Sequence, residues 1–266
     1  MIRSPLMTVM VDAVMKAAKG LRRDFGEVEN LQVSRKGPGD FVSLADTRAE
    51  QILREALSKA RPDYGFVLEE GGTIEGKDPQ HRWHVDPLDG TTNFLHGIPH
   101  FCVSVGLERD GVIVAGVIYD VIKDELFIAE RGKGAFMNNR RMRVAGRSDP
   151  LDAVVATGVP TIGKSNHPGF LKELAGVMAR SSGVRRMGSA ALDLAYVAAG
   201  RYDAYWEHGL SSYDVAAGIV LVREAGGYVT DAFGKDRIFE TGTVLCGNET
   251  MHRSYLDVLK LARATA

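Results

Sequence analysis

The sequence predicts a mixed fold, α+β in residues 1–149 and α/β in residues 150–266, with the boundary near Asp149-Pro150. Apolar residues recur at helical spacing from about Leu6 to Phe25 and from Thr47 to Ala60, which predicts two helices early in the chain. Strand-like runs from Phe101 to Glu108, Val112 to Tyr119 and Glu125 to Ala129 then follow one another without a helix, the pattern of an antiparallel sheet with helices to one side. After Asp149-Pro150 strand-length and helix-length segments alternate instead.

The first helix is amphipathic, with Lys16, Lys19, Arg22 and Arg23 on its polar face. Val33 to Asp46 contains Lys36-Gly37-Pro38-Gly39-Asp40, a mobile loop by composition. Asp46 stands near the start of the second helix, where the dipole favours an acid. Tyr64 to Leu68 is a short strand that ends in Glu69-Glu70-Gly71-Gly72, and Arg109-Asp110-Gly111 joins two strong strands as a hairpin. Gly132, Gly134 and Asn138-Asn139 mark turns before Met142-Arg143-Val144. In the second half the expected strands are Ala153 to Thr157, Gly183 to Arg186, Tyr202 to Glu207, Tyr228 to Thr230 and Val244 to Cys246. The expected helices are Gly169 to Ala179, Ala191 to Ala199, Val215 to Ala225 capped by Asp214, and Glu249 to Ala262.

Composition narrows the function. Lys+Arg 33 against Asp+Glu 34 gives a formal net charge of -1, so no global basic field calls for nucleic acid. Cys102 and Cys246 lie in apolar surroundings and read as buried thiols of a reducing compartment, the cytoplasm. No 18-residue apolar run without charge occurs, so no membrane span is expected. A Walker-type phosphate loop and a Ser-His-Asp set are both missing.

Chemistry concentrates in Trp83 to Phe94. An apolar strand end at Trp83-His84-Val85 leads into a turn at Asp86-Pro87, which leaves Asp86 and Asp89 on one short loop. Pro87 donates no hydrogen bond, and the Leu88 carbonyl becomes available as a third oxygen ligand. Gly90 lets backbone approach a ligand closely, and Thr91 to Phe94 form a first helical turn whose amides attract an anion. Average residue usage gives Asp-Pro-x-Asp-Gly-Thr a chance occurrence on the order of 10⁻⁴ in such a chain, so a simple capped turn is the poorer account. With Glu69 and Asp214, four acids stand at strand ends or helix starts. Oxygen donors without His or Cys at ligand spacing point to Mg²⁺, and phosphate between metal and amides points to phosphoester hydrolysis. Thr91 with Asp46 is the candidate pair for orienting water. His84, His96, His100 and His208 are expected to be structural, His208 being the strongest exception because it follows Glu207.

Glu69-Glu70, Asp86-Pro87-Leu88-Asp89-Gly90-Thr91, Gly188-Ser189-Ala190 and Tyr213-Asp214-Val215-Ala216-Ala217-Gly218 together resemble the inositol monophosphatase family of bacterial type over nearly the full chain. The resemblance implies a layered αβαβα sandwich of the inositol monophosphatase/fructose bisphosphatase type, a homodimer, lithium sensitivity, and two or three Mg²⁺ ions. Glu69, Asp86, Asp89, Asp214 and the Leu88 carbonyl match its metal ligands. Gly90 and Thr91 match its phosphate contacts, and Asp46, Thr91 and Glu69 its catalytic set. Lys36 matches a mobile-loop lysine, and Asp89, Gly188, Ser189, Ala190 and Glu207 match positions that receive the alcohol. Tyr213 stands where the family usually has Trp, for which only a packing change is expected. The implied activity is hydrolysis of inositol 1-phosphate or a similar polyol monophosphate. Relatives act on fructose bisphosphate, histidinol phosphate or 3'-phosphoadenosine phosphates, and some bacterial relatives assist the transcription machinery, for which Lys16, Lys19, Arg22, Arg23 and Arg140 to Arg147 would offer a basic face.

Overall fold

Ser4 starts the chain's first helix, α1 (Pro5–Phe25): its hydroxyl accepts from the Met7 amide at 3.1 Å, and Pro5 occupies the first turn, where no amide partner is needed. The computed structural model describes residues 3–27, 33–37, 40–160 and 167–264, with the backbone alone for 33–37 and 40–43. Met7, Met10, Val14, Ala17 and Leu21 form the buried stripe of α1, which packs with α2 (Leu44–Ala60) through Ala49, Leu53 and Leu57. Between them, β1 (Val33–Gly37) and β2 (Asp40–Ser43) pair as an antiparallel hairpin, where composition alone suggested a loop; residues 38 and 39 lie outside the described part.

The first sheet comprises β3 (Tyr64–Leu68), β4 (Gly72–Ile74), β5 (Asp78–Asp89), β6 (Cys102–Arg109), β7 (Val112–Asp120), β8 (Glu125–Glu130), β9 (Gly134–Met137) and β10 (Arg140–Arg141), with the short helix α3 (Thr91–Leu95) after β5. Its order is β10-β9-β8-β7-β6-β5-β3-β4. Left-handed backbone at Asp110-Gly111 and Asn138-Asn139 turns two of its hairpins, as their turn chemistry requires. Two expectations need correction. The sheet is mixed, because β3 runs parallel to β5. The strand before the acidic loop does not end at Val85 but continues through Pro87 to Asp89. A break in register between Asp86 and Asp89 accommodates the proline, which has no amide for the ladder.

The second half follows a short turn at Pro150–Asp152. Its strands are β11 (Val154–Thr157), β12 (Gly183–Arg185), β13 (Ala204–His208), β14 (Tyr228–Thr230) and β15 (Thr243–Gly247), in the order β12-β11-β13-β15-β14. Its helices are α4 (His167–Met178), α5 (Ala190–Ala198), α6 (Ser212–Glu224), α7 (Ile238–Thr241) and α8 (Glu249–Ala264).

Strand alternation builds the layers. In the first sheet Val103, Val105, Val117 and Ile128 face α1 and α2, while Cys102, Ile118 and Phe127 face α5 and α6. In the second sheet Tyr205, Val244 and Cys246 face α5 and α6, while Ala204, Trp206 and Leu245 face α4 and α8. The result is five layers, helix pair, sheet, helix pair, sheet, helix pair. The first sheet is therefore covered on both faces, not one, because α5 and α6 come from well beyond its last strand, β10 (Arg140–Arg141), in a way local patterning does not reveal.

Helix α6 lies unusually close to the first sheet. A Cβ added at Gly106 would stand 2.7 Å from the Ala216 methyl, and one at Gly116 would stand 2.6 Å from the Ala217 carbonyl oxygen. Gly106 and Gly116 are paired across β6 and β7, so together they form a flat seat for the helix. Gly116→Val should lower unfolding stability by about 1–3 kcal/mol or more through overpacking, read as a shifted urea midpoint. An unchanged midpoint would mean that α6 does not depend on this contact.

Candidate active site

Four acids converge where the two halves meet. Glu69 follows β3, and its amide donates to the Val85 carbonyl at 3.2 Å, which sets the end of β3 beside β5. Asp86 is 2% exposed and accepts from the Leu88 amide through Oδ1 at 3.0 Å. Burial holds its pKa well above the ordinary carboxylate range, and the charges of Glu69, Asp89 and Asp214 push it the same way. Of these neighbouring charges, that of Glu69 contributes most. Burial also raises Asp89 to about 6, against hydrogen bonds that favour its charged form. Asp214 is raised by burial first and by Asp89 next.

Each aspartate has a local anchor. Asp89 Oδ2 accepts from the Ser189 hydroxyl at 2.6 Å and the Ala191 amide at 2.7 Å, at the N-terminus of α5. Asp214 Oδ2 accepts from the Ser211 amide at 2.6 Å. This corrects the expected cap: Ser211 is the N-cap of α6 and Asp214 is the third helical residue of a capping box, a Ser-x-x-Asp spacing visible in the sequence. Among the described residues no three His, Cys, Asp or Glu side chains already stand as a closed ligand set.

The loop after β5 matches its expected shape in part. Gly90 has φ +98°, and a Cβ there would lie 3.1 Å from the His100 carbonyl oxygen, so glycine is required on two counts. The Thr91 hydroxyl lies 3.1 Å from Asp46 Oδ1 and 3.0 Å from the Leu88 carbonyl oxygen. Asp46 is fully buried in the first turn of α2. The structure thus brings Asp46, Thr91 and Leu88 together with the acids. The side chain of Lys36 lies outside the described residues.

On the facing side, Gly188 (φ +83°), Ser189 and Ala190 form the start of α5. Ser189 is committed to Asp89 and to capping, which leaves its hydroxyl turned toward the acids. Glu207 is the last residue but one of β13 and accepts from the Tyr205 hydroxyl at 2.6 Å. Burial raises its pKa to about 7, with the Asp89 charge adding and Arg186 offsetting part. A Cβ at Gly158 would stand 1.8 Å from Glu207 Oε1, so only glycine there leaves the carboxylate in place. Tyr213, raised to about 12 chiefly by burial, flanks Asp214.

Three of the histidines are held by contacts away from the four acids or are buried. His208 pairs with Glu173 at 2.7 Å, and His84 bridges Ser212 at 2.9 Å and Glu108 at 2.7 Å. His100 is buried, with its pKa lowered to about 4 by burial and then by Lys123. Sequence reasoning missed Glu50, whose Oε2 accepts from the Glu70 amide at 2.8 Å and so holds the turn after Glu69. It also missed Asn93 and the buried Asp193, which had no local signal beyond lying in or after motifs already marked.

The profile described as the inositol monophosphatase family matches residues 2–263. The chain belongs to the inositol monophosphatase family. It is 62% identical to the inositol-1-monophosphatase of Mesorhizobium japonicum over 260 residues, covering 98% of each chain. It is 40% identical to the Nus factor SuhB of Pseudomonas aeruginosa over 260 residues, covering 96% of each. The crystal structure of the extragenic suppressor protein suhB from Bartonella henselae superposes with a TM-score of 0.94 at 58% identity, covering 97% of this chain and 99% of that one. The five layers described above are those of this inositol monophosphatase fold.

The raised pKa values have a measurable consequence. Asp89 and Glu207 hold protons more tightly folded than unfolded, so protonation favours the folded state and stability is lost as pH rises through their folded values. In chelator, the thermal midpoint should fall between about pH 5 and about pH 8, and Glu207→Gln should flatten the upper part of that fall. A midpoint that climbs across this range would contradict burial as the cause of the raised values.

Proposed function

We propose that this chain is a metal-dependent phosphomonoesterase that hydrolyses inositol 1-phosphate or a similar polyol monophosphate. The observation that carries this is the clustering of the buried Asp86 with the partly buried Glu69, Asp89 and Asp214, whose charges raise the pKa of Asp86, as those of Asp89 and Glu69 raise that of Asp214. Such a cluster is stabilised by cations, and its all-oxygen donor set, with the Leu88 carbonyl, suits Mg²⁺ better than Zn²⁺. The oxygens not engaged by Leu88, Ser189, Ala191 and Ser211 are those the ions would take. Two or three bound Mg²⁺ ions would lower the pKa of the attacking water and neutralise charge on the leaving oxygen.

The protein's own groups do the rest. Asp46 accepts the Thr91 proton, which turns a Thr91 lone pair toward the water and draws its proton away as attack proceeds. Glu69 shares this catalytic set from the adjacent strand end. Gly90 and the first amides of α3 face the phosphate, and Lys36 would approach from the β1–β2 hairpin. Asp89, Gly188, Ser189, Ala190 and Glu207 receive the alcohol. An ionised Glu207 accepts hydrogen bonds from ring hydroxyls, which an adenine ring does not offer, and this favours a polyol over a 3'-phosphoadenosine substrate. Metal and phosphate are thus held mainly by residues 1–149, and the alcohol mainly by 150–266. The free, buried thiols Cys102 and Cys246 support a reducing compartment, the cytoplasm, and the family resemblance implies a lithium-sensitive homodimer. Among the described residues no helix is long and apolar enough to cross a membrane.

Phosphate release should be measured on inositol 1-phosphate, fructose 1,6-bisphosphate, histidinol phosphate and 3'-phosphoadenosine 5'-phosphate, with Mg²⁺, with chelator and with lithium. The expected result is Mg²⁺-dependent preference for inositol 1-phosphate, lost by about 10³-fold or more in Asp214→Asn with unchanged circular dichroism. A mild loss, recovered by extra Mg²⁺, would remove Asp214 from the ligand set.

A second role is favoured by the relatives named Nus factor SuhB. Its basic face is smaller than the sequence suggests. Arg22 donates to the Val121 carbonyl, Arg23 pairs with Asp24, and Arg147 pairs with Asp203. If the chain binds transcription complexes, Asp86→Asn should abolish hydrolysis while leaving RNA polymerase pull-down unchanged; no pull-down with the unaltered protein would dismiss this role.

A further inference from the structure

We propose that Asn93 is a positioning residue that keeps the alcohol-receiving loop, Met187 to Ala190, in register with the phosphate loop, Asp89 to Asn93, and so sets which alcohols are accepted. This rests on the phosphatase assignment above and deepens it.

Asn93 is 5% exposed, in the first turn of α3. Its Nδ2 donates to the His100 carbonyl and to the Met187 carbonyl, both at 2.8 Å, with the Gly188 carbonyl at 3.5 Å. Two strong carbonyl acceptors require the amide's NH₂ on that side and use both of its hydrogens. The His100 contact ties Asn93 to the segment entering β6, whereas the Met187 contact reaches 94 residues along the chain into the other half.

The far loop has little support of its own. Met187 is 38% exposed, and Gly188 adopts φ +83° outside any helix or strand. A Cβ at Gly188 would approach Asn93 Nδ2 to 3.3 Å, so glycine permits the close passage. Two grips hold the loop, one at each end. Asn93 takes the Met187 carbonyl, and Asp89 takes the Ser189 hydroxyl and the Ala191 amide. Both grips come from a single five-residue stretch with Thr91 between them. A displacement of the alcohol loop relative to the reacting phosphate is therefore resisted at Asn93 by geometry that no other described contact between these loops duplicates from that side. Removing the amide donors leaves two inward carbonyls without their partner, and the loop has only the Asp89 end left to hold it.

The test uses the full-length enzyme with Mg²⁺, comparing unaltered protein, Asn93→Asp and Asn93→Ser on inositol 1-phosphate and on p-nitrophenyl phosphate, whose aryl group offers no hydroxyls to the alcohol loop. Asn93→Asp keeps the shape and removes the donors; Asn93→Ser keeps one donor. The expected outcome for Asn93→Asp is a KM for inositol 1-phosphate raised about tenfold or more, with kcat/KM for p-nitrophenyl phosphate changed less than about threefold, and an intermediate result for Asn93→Ser. Circular dichroism and the thermal midpoint report folding; if Asn93→Asp does not fold, Asn93→Ser decides. Equal losses on both substrates, or an unchanged preference in a folded variant, would overturn the positioning role. Failure of the unaltered enzyme on inositol 1-phosphate would instead count against the substrate assignment, and the role of Asn93 is then judged on whichever polyol monophosphate is turned over.

Discussion

Helix α6 rests on bare backbone. Because Gly106 and Gly116 carry no side chains, the helix packs against the backbone of the first sheet where a Cβ would come within 2.7 Å and 2.6 Å of it. Its own contribution is equally spare, Ala216, Ala217 and Gly218, and the last of these lets α5 close against it, with Leu194 where a Gly218 Cβ would be. Larger residues at any of these points would lift α6 away. Asp214 would then leave Asp86 and Asp89, and the two halves would no longer share one central helix layer.

That close seat explains how the chain tolerates its acids. Four carboxylates, one buried and three partly buried, within reach of one another destabilise the fold unless their charges are matched. The protein meets part of the cost with hydrogen bonds, Leu88 to Asp86, Ser189 and Ala191 to Asp89, and Ser211 to Asp214. Each bond also aims a carboxylate. Capping residues of α5 and α6 therefore serve the site and the helices at once, which couples local helix stability to the arrangement of the acids.

Much of the site was legible because its densest part is local. Asp86, Leu88, Asp89, Gly90 and Thr91 fall within one short stretch, where a proline and a glycine constrain the backbone. Helix periodicity located α1, α2 and α8 closely, and paired turn residues located two hairpins. Less legible was anything that depends on partners distant in the chain. The strand through Pro87 looked finished because proline cannot join a ladder, yet a register break let β5 continue. His208 looked chemically apt beside Glu207, but Glu173 from α4 holds it.

The sequence by itself singled out the residues proposed to bind metal and phosphate, and it did so because oxygen donors, a proline and a glycine act over a few bonds. Only the tertiary structure decided that the Ser211 amide holds Asp214, which the sequence had already grouped with those acids, that Ser189 and Asn93 grip across the halves, and that Glu207 lies against Gly158. Those choices depend on how closely two sheets and three helix layers approach, and that distance is set by the small residues at Gly106, Gly116, Ala216 and Gly218 packing against partners up to more than 100 positions away.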